Sequence, residues 1–263
     1  MPPCVGTKER GFSLIELIMV IVILGALGVG ITSFITRSVG GYIATGERQR
    51  MATAGLVAAE KITRELREAL PNSIRTSLDK SCVEFIPIFA ASTYIDLPVE
   101  AAGSSFQAIS AQRDSAISGR VAVYPISTAP LYSPSASGSL TAATASMPTG
   151  TGAVTVSLSS AHQFPLHSPA RRFYIVGAPA AYCQAGGKII RYSNYGFNPG
   201  LGSLPPSGAD MAMLINQVQA GSVQFDFSPM SLVRNAVVNF RFRLEQDSEQ
   251  LVVEQEAAIR NLP

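Results

Sequence analysis

KERGFSLIELIMVIVILGALGVGI, residues 8–31, sets a short charged leader and a Gly-Phe junction ahead of a long apolar run. From Phe12 to Phe34 the only charged side chain is Glu16. At about 1.5 Å of rise per residue, a helix here is long enough for the ~30 Å hydrocarbon core of a bilayer. The stretch therefore reads as a membrane-spanning helix over residues 12–36. A carboxylate inside such a helix costs roughly 2.5–3.5 kcal/mol on insertion scales, so Glu16 stands out as a functional residue that needs a partner. A secretory signal places its small-residue cleavage site after the apolar centre. Here the small residue Gly11 precedes that centre, so cutting there removes only the leader, residues 1–11, and leaves the helix in place.

Residues 37–70 keep helical spacing. Met51, Ala54, Ala58, Ile62, Leu66 and Leu70 recur every three or four positions, and Glu60 with Arg64, Lys61 with Glu65 and Arg64 with Glu68 form four-residue charge pairs. This predicts an amphipathic continuation of the membrane helix, stopped by Pro71, with one face covering a sheet. Gly40, Gly41 and Gly46 each weaken a helix by about 1 kcal/mol relative to Ala, which predicts a hinge or local unwinding near 38–46.

From 71 to 263 the signals are short strands. CVEFIPIF (82–89), GRVAVYPI (119–126), AVTVSLSS (153–160) and RRFYIVG (171–177) come first. Later, Val223, Phe225 and Phe227, then Val238, Phe240, Phe242 and Leu244, then the run from Leu251 to Ile259, alternate with period two, as half-buried antiparallel strands do. Residues 247–249, DSE, read as the turn between the last pair. The expected fold class is α+β, a long N-terminal helix packed on one C-terminal antiparallel β-rich domain. Between 127 and 152 the chain is rich in Ser, Ala, Thr, Pro and Gly, has little to bury and reads as a surface insertion.

The net charge is +2, and loss of Lys8, Glu9 and Arg10 with the leader leaves +1. The charges are sparse and spread, without the basic stripe that phosphate recognition needs, so nucleic acid is not expected as a partner. His162 and His167 lack an HExxH context and read as solvent-facing or turn histidines rather than metal ligands. No GxSxG elbow, phosphate loop or DxDxDG calcium loop occurs, and GGK at 186–188 lacks the flanking residues of a phosphate loop. Neither an enzyme nor a cofactor is expected. Tyr124, Tyr132, Tyr192 and Tyr195 read as half-buried residues at loop bases.

RGFSLIEL closely resembles the prepilin processing site of type IV pilins and type II secretion pseudopilins. The resemblance implies that prepilin peptidase cuts between Gly11 and Phe12 and then N-methylates the new amino terminus of Phe12. It also implies that Glu16, fifth in the processed chain, pairs with the terminal amine of a neighbouring subunit. The chemistry is consistent, because such an amine has a reference pKa of about 7.7–8.0 and stays charged when methylated. Buried among apolar helices, carboxylate and ammonium satisfy each other only in the correct axial register. Major type IV pilins often carry a proline where this chain has Ser33.

Positive charges lie on both sides of the span, so charge alone does not settle its orientation. The resemblance implies a leader in the cytoplasm and a C-terminal part in the periplasm, with the protein spanning the inner membrane once before assembly and lying on the pilus afterwards. Cys4 falls in the leader, leaving Cys82 and Cys183, an even count that suits one disulfide in an oxidising compartment. That bridge closes a loop of about 100 residues, worth roughly 4–5 kcal/mol on the chain-entropy model.

RELREALPNSIR (64–75), SPARRFYIVGAPAAYCQ (168–184), RYSNYGF (191–197) and IRNLP (259–263) look like the minor prepilins of mannose-sensitive haemagglutinin (MSHA) biogenesis of the MshO type. This implies a low-copy subunit that helps to initiate or cap pilus assembly. Its partners would be prepilin peptidase, other major and minor pilins through the N-terminal helix, and the inner-membrane assembly platform. A minor pseudopilin of a type II secretion system is the close alternative, and a tip-displayed adhesin is an alternative of another class.

Overall fold

The computed structural model describes residues 11–198, 200–229, 235–246 and 249–259. The leader residues 1–10 with Cys4, residues 247–248 of the expected turn and residues 260–263 of the last resemblance patch lie outside these. Helix α1 (Leu14–Arg67) is 54 residues long. The chain divides into two units, residues 1–50 and residues 51–263, and α1 supplies residues 14–50 of the first and 51–67 of the second.

In the first unit α1 is helical throughout 38–46, so the expected unwinding does not occur. Three glycines cost about 3 kcal/mol of propensity together. Unwinding would instead break several consecutive ladder hydrogen bonds in the middle of a 54-residue helix and require the helix to be nucleated again beyond them, which is costly. The hydroxyls in this stretch turn back on the helix: Thr32 Oγ1 donates to Gly28 O at 2.8 Å and Thr45 Oγ1 to Gly41 O at 2.8 Å.

The helix ends at Arg67 rather than at Leu70. Its last turn tightens, with Ala69 N–H on Leu66 O at 3.3 Å, and Leu70 N–H leaves the helix ladder for Ile86 O at 2.8 Å. Pro71 explains the change, because a residue before proline is pushed out of the helical region.

Among the described residues the second unit has fourteen strands: β1 (Arg75–Thr76), β2 (Cys82–Phe85), β3 (Ile88–Thr93), β4 (Gly103–Ile109), β5 (Ile117–Ala122), β6 (Ala145–Met147), β7 (Ala153–His162), β8 (Arg172–Val176), β9 (Ala180–Ala185), β10 (Lys188–Ser193), β11 (Asp210–Asn216), β12 (Gln224–Ser228), β13 (Ala236–Gln246) and β14 (Glu249–Ile259). The class is α+β, with one long apolar N-terminal helix and C-terminal antiparallel sheets. Among the described residues these strands form three sheets, ordered β1-β2-β9-β10-β11, β12-β13-β14 and β3-β8-β5-β6-β7-β4.

Met51, Ala58, Ile62 and Leu66 of α1 share one core with Phe85, Tyr182 and Ile189 of the five-stranded sheet and with Phe225, Val238, Phe240 and Phe242 of the three-stranded sheet. A second core belongs to the six-stranded sheet alone and includes Tyr94, Phe106, Val121, Val156, Phe164, Phe173 and Ile175.

Several sequence-based boundaries change. The run 82–89 is two strands in two different sheets, divided at Ile86 and Pro87, since proline has no N–H to give a ladder. The 127–152 segment is not merely a surface insertion. Leu131, Tyr132, Leu140 and Met147 are all buried and β6 lies within it, so four bulky side chains anchor an otherwise small-residue run. Tyr132 and Tyr192 are buried rather than half-buried, whereas Tyr124 and Tyr195 are intermediate.

Candidate assembly segment and polar clusters

Gly11, Phe12 and Ser13 precede the helix and lie outside any regular element, all exposed. Ser13 caps α1: its Oγ accepts the Glu16 N–H at 3.3 Å, and its carbonyl accepts from Glu16 N at 3.1 Å and Leu17 N at 3.2 Å. Ser13 and Glu16 thus have capping-box spacing, and a carboxylate in the first turn is also favoured by the helix dipole. Sequence reading passed over this role of Ser13, although the S-x-x-E spacing before an apolar run is its local signature. The Gly11–Phe12 bond lies in non-helical chain just ahead of the cap.

Beyond the cap, apolar side chains are exposed on every side of α1, from Leu14 and Ile15 through Val29 and Phe34 to Ile43. A helix apolar all round calls for surroundings other than water. Among the described residues α1 is the one helix long and apolar enough to cross a membrane.

In the second unit Cys82 and Cys183 face each other across β2 and β9, and their sulfurs are bonded. The Gln184 N–H donates to Ser81 O at 3.1 Å, so the cysteines occupy the adjoining non-hydrogen-bonded pair, where side chains approach most closely.

Among the described residues two ionic clusters flank the main core, one buried and one half-buried. Arg75 pairs with the fully buried Glu84 directly across β1 and β2. Its guanidinium lies 3.5 Å from the centroid of the Tyr132 ring and also donates to Asn198 O. The Tyr195 hydroxyl donates to Glu84 at 2.8 Å. Burial, then the Glu84 charge, push both Tyr195 and Tyr132 well above the usual phenol range, so each hydroxyl stays a donor.

The second cluster joins Arg191 to Glu65 of α1 at 2.8 Å beside Tyr182. Burial acts to lower the Arg191 pKa, but the bond to Glu65 and its charge outweigh it, so the guanidinium is held charged. Burial and Glu65 raise Tyr182 strongly. These clusters fasten strands to helix and loop, and neither pairs a nucleophile with a base.

The two histidines separate. His162 is buried, with Nε2–H on Gly138 O at 2.8 Å and its ring 4.5 Å from that of Phe164, contrary to the solvent-facing expectation. His167 is exposed, 3.4 Å through Nδ1 from the Tyr94 hydroxyl. Among the described residues no three of His, Cys, Asp or Glu converge as metal ligands would.

Two outer surfaces are open. An open groove of about 620 Å³ on the outer face of β12–β14 is lined by Asp226, Arg241, Glu254 and Glu256 among others. On the six-stranded sheet, Ser105, Ser157, Ser146 and Ser118 stand in one row across β4, β7, β6 and β5, all exposed.

Residues 6–32 match the prokaryotic N-terminal methylation motif. No curated protein and no solved structure matches the chain. The motif indicates a type IV pilin-like or pseudopilin-like protein and suggests a structural subunit rather than an enzyme. It implies processing by prepilin peptidase and association with pilins or membrane assembly machinery, and with the apolar helix it is consistent with single-pass anchoring in the inner membrane.

Proposed function

We propose that this chain is a minor, low-copy subunit of a type IV pilus of the MSHA type. Prepilin peptidase cuts between Gly11 and Phe12 and methylates the Phe12 amine. The C-terminal part stands in the periplasm until the helix joins those of other pilins at the assembly platform. Glu16 then pairs with a neighbour's terminal amine and sets the axial register, while the subunit helps to initiate or cap the fibre. The observation that carries this reading is the methylation motif over residues 6–32 leading directly into an apolar helix. The patches at 64–75, 168–184 and 191–197 support the MSHA type. A C-terminal part much larger than a repeating subunit requires supports low copy number.

The test is the intact mass and N-terminal sequence of the membrane-extracted protein from cells with and without the peptidase. The expected result is a chain that starts at N-methylated Phe12 only when the peptidase is present. A start at Met1, or cutting beyond residue 34, would overturn it. Deletion then separates the family alternatives: loss of fibres fits the pilus, and loss of secretion with fibres intact fits a pseudopilin.

A further inference from the structure

β2 and β9 are neighbours in one sheet, yet the chain between them, residues 86–179, contributes no strand to that sheet. It forms β3–β8, which pair only with one another. Their order closes on itself. Tyr94, just past β3, bridges Ala108 of β4, and Ile95 N–H donates to Gln107 O at 2.7 Å. The six-stranded antiparallel sheet thus curls into a barrel whose two outer strands meet at one bridge rather than along a ladder, which shortens the edges left without partners.

The barrel has its own core, in which Phe106 meets Phe173 and Phe164 edge-on with ring centroids 5.2 and 6.4 Å apart. Its seam with the rest of the unit is a separate, smaller apolar cluster crossed by polar links, among them the Arg75 guanidinium on the Tyr132 ring and the Ile88 N–H on Glu68 O at 3.2 Å. Leu70 and Ile86 pack there with Ala122, Leu131, Tyr132 and Tyr174. The Tyr132 hydroxyl donates to Ser73 O at 2.6 Å and Asn72 Nδ2 to Pro125 O at 2.8 Å. At the neck, only the pairs Val83–Tyr182, Glu84–Ala181 and Phe85–Ala180 separate the disulfide from the two points where the chain leaves and returns.

We infer that residues 86–179 are an inserted module that folds and unfolds as its own unit, and that Cys82–Cys183 clamps its neck. A segment with a curled sheet and a private core meets the physical requirement for independent folding. Pulling or melting the barrel opens β2 from β9 starting at Phe85 and Ala180. The covalent bond stops that opening after three residue pairs, so the sheet under the helix keeps its register. One consequence rests on the proposed pilus role: assembly is carried by the helix and its sheets, and outward contact is carried by the barrel.

The experiment uses the full chain in detergent micelles, titrated with urea and read by hydrogen exchange with mass spectrometry. Peptides from the barrel and from the helix-bearing sheets are expected to lose protection at different midpoints. Phe106→Leu should shift only the barrel midpoint and Phe240→Leu only the other. One shared midpoint, moved equally by both substitutions, overturns the module.

Reducing the disulfide in the same protein should make β2 and β9 lose protection together with the barrel. Unchanged protection of β2 and β9 overturns the clamp. In cells, a chain whose residues 87–178 are replaced by an Asn-Gly hairpin turn should still be processed and incorporated if the consequence holds. Processing of the natural chain but exclusion of the shortened one overturns it. Failure to process either chain defeats the pilus reading and leaves the unfolding result standing.

Discussion

A Cβ placed on Gly55 would stand 2.8 Å from Val253 Cγ2 and 3.2 Å from Leu244 Cδ1, so α1 meets the β13–β14 pair at a point where only hydrogen fits. Val253 is β-branched and has little rotamer freedom with which to yield. Gly55→Val should therefore destabilise the protein by about 1–3 kcal/mol through overpacking. Gly55→Ala should show little of the ~1 kcal/mol that alanine usually adds to a helix, because the overlap offsets it. Urea midpoints read on the helix-bearing sheets check both. An unshifted midpoint for Gly55→Val would mean that the close approach does not exist.

Arg75 and Glu84 form a buried ion pair, and the Tyr132 ring and Tyr195 hydroxyl complete their shell. Removing one member leaves an uncompensated buried charge, so Arg75→Met should destabilise by about 3–5 kcal/mol. Arg75→Met with Glu84→Leu should recover most of that loss, since an apolar replacement of a whole buried pair is often neutral. A double variant as unstable as Arg75→Met alone would show that the ring and the Asn198 contact, rather than charge balance, dominate the cluster.

The legible parts of this fold are those whose information is local. The strand alternation at Val238, Phe240, Phe242 and Leu244 matches β13, whose buried and exposed residues alternate along its length. The small, continuously buried AAYC of β9 shows no such alternation and was missed. Barrel closure was also invisible, because it depends on Tyr94 reaching Ala108 through pairings spread over about 100 residues, where no local spacing speaks. Glu84 gave no signal, for its partner is fixed only once the β1–β2 register is set. At the N-terminus the reverse holds: Gly11 ahead of the apolar run and Glu16 within it stand out by position, the roles of Gly11, Phe12 and Glu16 are what the prepilin resemblance implies, and the same short stretch contains the Ser13 cap.

His162 predicts a pH dependence. Burial holds its pKa below the ordinary value of 6.5, with the Gly138 hydrogen bond pulling weakly the other way. The folded state therefore binds fewer protons than the unfolded one just below that value, and stability rises with pH through this window. On acidification the His162 contribution is fully present above the unfolded pKa and is lost as pH falls from there through the folded value. Melting temperatures of the natural protein and of His162→Gln, compared from about pH 7.5 to 5, should differ in slope, the variant being flatter. Parallel curves would remove His162 from the acid response.

Glu16 has a local role at the start of its own helix and a proposed one between subunits, and substitutions can separate the two. Within its own chain it sits at the third helical position after the Ser13 cap, and its N–H is held by the Ser13 Oγ at 3.3 Å. Between chains, the proposed pairing needs its negative charge. Ser13→Ala removes the cap, which costs about 1 kcal/mol at the helix start, and leaves the charge, so incorporation into fibres should persist. Glu16→Gln keeps a residue suited to the capping box but abolishes the charge. The Gly11–Phe12 bond, which lies outside the helix, should still be cut in that variant, whereas incorporation should fall sharply. Immunoblots of membrane and sheared-fibre fractions read both quantities. Full incorporation of Glu16→Gln would leave Glu16 as a local helix-start residue, and the register between subunits would have to come from packing of the apolar faces alone.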